Sequence, residues 1–165
     1  MTVTQESVRL DKRVFPERVA SRAYLNANQE NLTGNAWNKI NIDTLTYDLG
    51  LNFAIATYKF TAPVTGLYAL YGCTHFVAAS VIADKAYSVS IYKNGTAIAD
   101  NTGHASVADL LGVSVYTEAY LTKNDYIELY VCPFVGGGTN TVDIYGGTRY
   151  TYLTCRLITK KGIRQ

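Results

Sequence analysis

The stretch that most restricts the fold runs from Asp48 to Gly72, Asp-Leu-Gly-Leu-Asn-Phe-Ala-Ile-Ala-Thr-Tyr-Lys-Phe-Thr-Ala-Pro-Val-Thr-Gly-Leu-Tyr-Ala-Leu-Tyr-Gly. It reads as a loop, a short strand, a Pro-Val-Thr-Gly corner and a long strand. Pro63 presets φ at the first corner position, and Gly66 accepts backbone conformations that L-residues avoid, so the spacing predicts a β-hairpin corner. Beyond it, Leu67 to Tyr71 is dense in aromatic and aliphatic side chains suited to a pleated, buried surface.

The same period of two recurs down the chain. Tyr87, Val89 and Ile91 share one face and Ser88, Ser90 and Tyr92 the other, after which Asn94-Gly95 signals a two-residue hairpin. Thr96 to Ala99 should pair back, Asp100 to Ala108 is read as loop, and Leu111, Val113 and Val115 point one way in a strand over 110–121. In 126–131, Ile127, Leu129 and Val131 face inward against Tyr126, Glu128 and Tyr130. Pro133 is expected to end that strand, and 136–147 to be a glycine-rich crossing before a last strand with Leu153, Cys155 and Leu157 inside and Tyr152, Thr154 and Arg156 outside. Earlier, a first strand from Val19 ends near Asn26, 30–35 is loop, a second strand spans about 37–45, and the strand from Leu67 reaches Ala78 or runs on to Ile82. About eight to ten strands and no helix predict an all-β, two-sheet antiparallel sandwich over 19–160, with an arm at 1–18 and a tail at 161–165.

The spacing of Asp48, Phe53, Phe60, Gly66 and Tyr68 resembles the aromatic signature of the complement C1q-like globular domain, whose jelly roll is shared with the tumour necrosis factor family. Three positions depart from that signature: Ile42 stands for the opening Phe, Leu70 for the strand Phe and Gly72 for the last aromatic. Segments 88–95, 121–129 and 149–158 are also similar, so the likeness covers about Val19 to Ile158. It implies a C1q/TNF-like jelly roll with those five residues as its core motif, and three copies packed about a threefold axis. A jelly roll by itself does not fix function.

Chemistry is thinly represented. His75 and His104 have no second His or Cys at metal-ligand spacing. Cys73 lies two positions from His75 on one strand face, but no orienting Asn or Asp accompanies the pair. His75 is read as a strand histidine with a local hydrogen-bond partner and His104 as a solvated loop residue. Gly136-Gly-Gly138 and Gly146-Gly147 open no helix and precede no Lys-Ser or Lys-Thr, which excludes a P-loop. No cofactor is expected. Calcium is the one ion considered, because Asp84, Asp100, Asp109, Asp125 and Asp143 fall in or beside loops; it needs six or more oxygens, and no compact Asp-x-Asp run supplies them. Cys73, Cys132 and Cys155 are expected as buried thiols, though an odd count also permits one disulfide. Asn31-Leu-Thr33 and Asn94-Gly-Thr96 match the glycosylation acceptor pattern and are expected to be unmodified.

A net charge of +2 offers nucleic acid no basic stripe, and no stretch approaches the ~20 apolar residues of a membrane span. Met1 to Arg18 holds no apolar run of signal-peptide length, so synthesis in the host cytoplasm is expected. That segment mixes seven charged residues with Val8, Leu10, Val14 and Phe15, and is read as a docking arm. Outward-facing Tyr92, Tyr126, Tyr130 and Tyr152 are the candidate interface or ligand surface. Together these features predict a non-enzymatic, homotrimeric knob decorating a virus or phage particle. Its arm would bind a capsid, tail or other particle protein, and its head a host-surface glycan or protein. The alternative is an extracellular or cell-surface adhesin recognising a glycan or protein.

Overall fold

The computed structural model describes residues 19–136 and 140–161. Residues 1–18, with Val8, Leu10, Val14 and Phe15, lie outside the described residues, as do 137–139 and 162–165. The described chain forms strands β1 (Ala20–Tyr24), β2 (Gln29–Thr33), β3 (Asn38–Lys39), β4 (Thr44–Leu49), β5 (Phe53–Ala54), β6 (Lys59–Thr61), β7 (Gly66–Phe76), β8 (Lys85–Lys93), β9 (Thr96–Ala105), β10 (Leu111–Leu121), β11 (Tyr126–Phe134), β12 (Thr141–Ile144) and β13 (Tyr152–Lys160). A single 3-10 turn, Ala78–Ser80, interrupts them. No helix among the described residues is long and apolar enough to cross a membrane.

Two antiparallel sheets face each other as a sandwich. One is seven-stranded in the order β2-β12-β7-β13-β1-β4, with β10 on the other side of β7; the second is six-stranded in the order β5-β6-β11-β8-β9, with β3 beside β11. Alternation in sequence becomes the core directly: Phe60, Tyr68, Leu70, Phe76, Tyr87, Ile91, Ile127, Leu129 and Ile144 are fully buried between the sheets. The edges β9 and β10 approach without pairing. Asn101 Nδ2 donates to the Ser114 carbonyl at 2.8 Å and Lys93 Nζ to the Tyr120 carbonyl at 3.0 Å, so two side chains occupy acceptors of an otherwise open edge.

The motif residues take places their chemistry explains. Asp48 Oδ2 accepts from the Phe53 N–H at 2.8 Å and so fixes the loop into β5. Phe60 and Tyr68 meet edge to face at 5.9 Å, and the Tyr68 hydroxyl donates to the Val64 carbonyl at 2.7 Å. Gly66 is required by crowding: a Cβ there would sit 2.4 Å from the Thr159 carbonyl oxygen of β13. Gly72, where the resemblance predicts an aromatic, would place a Cβ 2.3 Å from Leu129 Cδ1, so the facing sheet already fills that space.

The Pro63 corner is an arch rather than a hairpin. β6 belongs to the six-stranded sheet and β7 to the seven-stranded one, and the corner's backbone groups bond to other loops, Asn124 N–H to the Ala62 carbonyl and Lys161 N–H to the Thr65 carbonyl. Other boundaries move too. The returning strand β9 runs on to Ala105, because β8 offers it a ladder as far as Lys85. The expected loop 30–35 contains β2, the crossing 136–147 contains β12, and these two short strands pair with each other. The expected strand 37–45 divides into β3 and β4, one in each sheet. The long strand stops at Phe76, before the 3-10 turn. Pro133 lies inside β11 opposite Tyr87. Its carbonyl faces away from β8 and accepts from Asn35, so the missing N–H falls on that same side, beyond the end of β3, where no ladder bond is lost.

Candidate interaction face

Both sheets have an outer face, and the strand registers show what each carries. On the seven-stranded sheet, one row across β10, β7, β13, β1 and β4 reads Glu118, Ala69, Arg156, Ala20, Leu49. The adjacent row reads Tyr116, Tyr71, Thr154, Arg22, Tyr47, and the next Ser114, Cys73, Tyr152, Tyr24, Thr44. On the other side of the first row stand Tyr120 and Leu67. Six tyrosines thus share one outer face. Tyr116 is 58% and Tyr120 48% exposed, far more than rings packed within a monomer.

The centre of this surface is ordered. Tyr71 and Tyr152 stack at 5.7 Å, and the Arg22 guanidinium lies 3.7 Å over the Tyr152 ring while donating to the Thr148 carbonyl. Partial burial and the Tyr71 hydroxyl push the Tyr152 phenol up to about 12. The Tyr116 hydroxyl donates to Glu118 Oε1 at 2.9 Å, which raises its phenol pKa because ionisation would set two negative charges side by side.

The six-stranded outer face is built differently. Tyr92 and Tyr130 stack at 4.1 Å, Trp37 meets Tyr92 edge-on at 6.0 Å, and Lys59 lies 4.6 Å over Tyr126. Buried Glu128 is paired with Lys39, while Lys93, at the end of β8 on its inward side, pairs with Asp125 at 2.9 Å. Burial alone would raise the Asp125 pKa, but donors from Lys93, Asn94 and the Thr122 N–H outweigh it and hold the carboxyl below its ordinary range. The four tyrosines singled out from sequence therefore split: Tyr92, Tyr126 and Tyr130 lie here, and Tyr152 lies on the opposite sheet. Missed were Tyr24, Tyr47, Tyr71, Tyr116 and Tyr120. Their signal was present in β10, whose valines at 113 and 115 imply that Tyr116, Glu118 and Tyr120 point outward.

Groups considered for catalysis do not assemble. Cys73 Sγ is 3.9 Å from His75 Nδ1, but that nitrogen is 2.9 Å from the Tyr150 carbonyl, an acceptor only. Nδ1 therefore carries the proton and cannot take one from the thiol. All three cysteines are free and buried, and burial raises the Cys73, Cys132 and Cys155 thiols. His104 is exposed, on β9 rather than in a loop. Among the described residues no three His, Cys, Asp or Glu side chains converge as a metal site; Asp143 instead accepts from the Asn31 N–H, and Asp109 from the Leu110 N–H. A hollow of about 260 Å³ is lined by Leu51, Asn52, Phe53, Ala54, Thr61, Ala62, Pro63 and Asn124, with no titratable side chain among them.

Neither a protein-family model nor a curated protein sequence matches the chain. Solved structures do. The globular domain of zebrafish complement 1qA protein superposes with a TM-score of 0.60 at 16% identity, over 87% of this chain and 99% of that one. The Eiger TNF of S. frugiperda gives 0.63 at 10% identity over 91% and 99%, and murine APRIL 0.63 at 10% over 84% and 99%. At these identities the likeness is one of fold, and it spans the sandwich from end to end.

Proposed function

We propose that the chain is a non-enzymatic structural and interaction protein, a homotrimeric jelly-roll knob that decorates a virus or phage particle through residues 1–18. The observation that carries the reading is the aromatic outer face of the seven-stranded sheet. Such a surface would be a liability on a solitary domain, and it has the composition of an interface core. The C1q/TNF-like fold supports three copies, since the resemblance implies wedge-shaped jelly rolls about a threefold axis. The arm's mixed charges and few apolar groups support attachment, because ordering it at about 1–2 kcal/mol per residue needs a partner surface to offset the cost.

Two measurements test this. Light scattering on the purified full chain should give three times the 18.1 kDa chain mass; a mass of one chain at micromolar concentration removes the trimer. Deleting residues 2–17 should leave the trimer folded but unable to join the particle; normal incorporation would reassign attachment to the jelly roll. A second reading, glycan recognition by an adhesin-type head, is favoured by Trp37, which is 41% exposed beside Tyr92 and Tyr130 on the other sheet. A glycan array would read it, with Trp37→Ala abolishing any hit.

A further inference from the structure

The row Glu118, Ala69, Arg156 gives the seven-stranded face a direction. Both charged residues register with Ala69, one from β10 and one from β13, so their backbones stand roughly 10 Å apart across a residue with no side chain beyond Cβ. Both are exposed, and among the described residues neither has an opposite charge within ion-pair distance. The result is a notch with a carboxylate on one wall and a guanidinium on the other. Along β10, on the next outward position from Glu118, Tyr120 is 48% exposed, with no side-chain partner among the described residues. One face therefore carries a free aromatic knob and, separately, a hole of matching polarity: a phenol can donate to a carboxylate and accept from a guanidinium.

We infer that the occupant of this notch is a second copy of the chain, whose Tyr120 seats its ring over Ala69 with the hydroxyl between Glu118 and Arg156. Three features support that occupant over a foreign one. The knob and the hole have complementary chemistry. The five strands β10, β7, β13, β1 and β4 present roughly 700 Å² of sheet, near the ~800 Å² each partner buries in a stable interface. And knob and hole occupy different positions on one face, so the same contact repeated head to tail can close into a ring, as the trimer reading requires. The inference rests on the trimer reading and gives that interface its polarity and its contact residues.

The test is light scattering and sedimentation of the full chain beside Ala69→Arg, Tyr120→Ala and Ala69→Ser. Both positions point outward, and an arginine at 69 can pair with Glu118 in the monomer, so thermal unfolding of the separated chains should match. Expected is a trimeric wild type and Ala69→Ser, with association weakened at least tenfold in Ala69→Arg and Tyr120→Ala. A charge pair supplies the independent check: Glu118→Arg and Arg156→Glu should each weaken assembly, and the double swap should recover it. If the wild type is a trimer and Ala69→Arg assembles equally well, the notch is not the contact and the trimer stands on another surface. A monomeric wild type would overturn the trimer reading and this inference together. Should Ala69→Arg fail to fold, the charge swap decides: no recovery in the double variant overturns the contact.

Discussion

The outer faces of the two sheets are made of similar residues and finished to different degrees. On the outer face of the six-stranded sheet most polar and aromatic groups have partners within the chain: Lys39 pairs with Glu128, Ser88 with Thr102, and Trp37, Tyr92 and Tyr130 pack on one another, while Trp37 and Phe134 stay 41% and 44% exposed. On the seven-stranded sheet the stacked centre is surrounded by exposed Tyr47, Leu49, Tyr116 and Tyr120, and Arg156 has no carboxylate partner among the described residues. Tyrosine content alone does not mark an interface; whether neighbouring groups already satisfy the rings does.

The largest effect should come from the core that both faces share. Tyr68 is fully buried, packs edge to face on Phe60 and donates to the Val64 carbonyl. Tyr68→Ala should cost roughly 3–5 kcal/mol in urea unfolding, and Tyr68→Phe about 1 kcal/mol for the lost hydrogen bond. Equal stability of the alanine variant would mean that the motif is not what ties the sheets together.

A smaller pair of substitutions sharpens the contrast. Lys39→Met leaves the buried Glu128 carboxylate without its cation, and breaking a buried pair is costly. Because the Lys39 side chain keeps 29% of its exposure, solvent screens part of that cost, and about 1–2 kcal/mol is expected. Adding Glu128→Gln should return much of it. Arg156→Met, the counterpart on the other face, should change monomer stability by no more than about 0.5 kcal/mol. If the two changes cost the same, the six-stranded face is no more self-satisfied than its opposite.

How much of this was legible in the sequence depends on the range of the interactions involved. Strands whose period is set by their own residues, β8, β11 and β13, were readable because alternation reports burial locally. The short strands were not. Gln29–Thr33 is mostly polar and becomes β2 only because β12 arrives from more than a hundred residues away. Pro133 was misread because whether a proline breaks a ladder depends on which side the missing donor faces, and that side is fixed by where β3 ends. The corner at Pro63 has hairpin residues but joins two sheets, a distinction set by partners beyond the turn. The tyrosines were recognised as surplus, yet their division between faces needed the register of β10 on β7, since Tyr71 and Tyr116 are adjacent only across strands.

The smallest effect is spectroscopic, and it asks whether the seven-stranded face is covered. The Tyr152 phenol is pushed up to about 12, first by burial and then by the Tyr71 hydroxyl, against about 10 for a free tyrosine. The sign follows from linkage: between pH ~10 and ~12 the unfolded chain has released this proton and the folded one has kept it. Its contribution to stability is therefore complete below pH ~10 and is lost as the pH rises toward 12. Ultraviolet titration of the phenolates should show a late-ionising tyrosine that disappears in Tyr152→Phe, and that variant should lose stability less steeply over the same interval. Assembly over this face would exclude more water from the ring and delay ionisation further, because burial already acts in that direction. Wild type held as an assembly should therefore release the Tyr152 proton at higher pH than the dispersed Ala69→Arg chain. If the two titrate alike while differing in mass, the assembly surface lies away from Tyr152, and the order around Tyr71 and Arg22 serves the monomer alone.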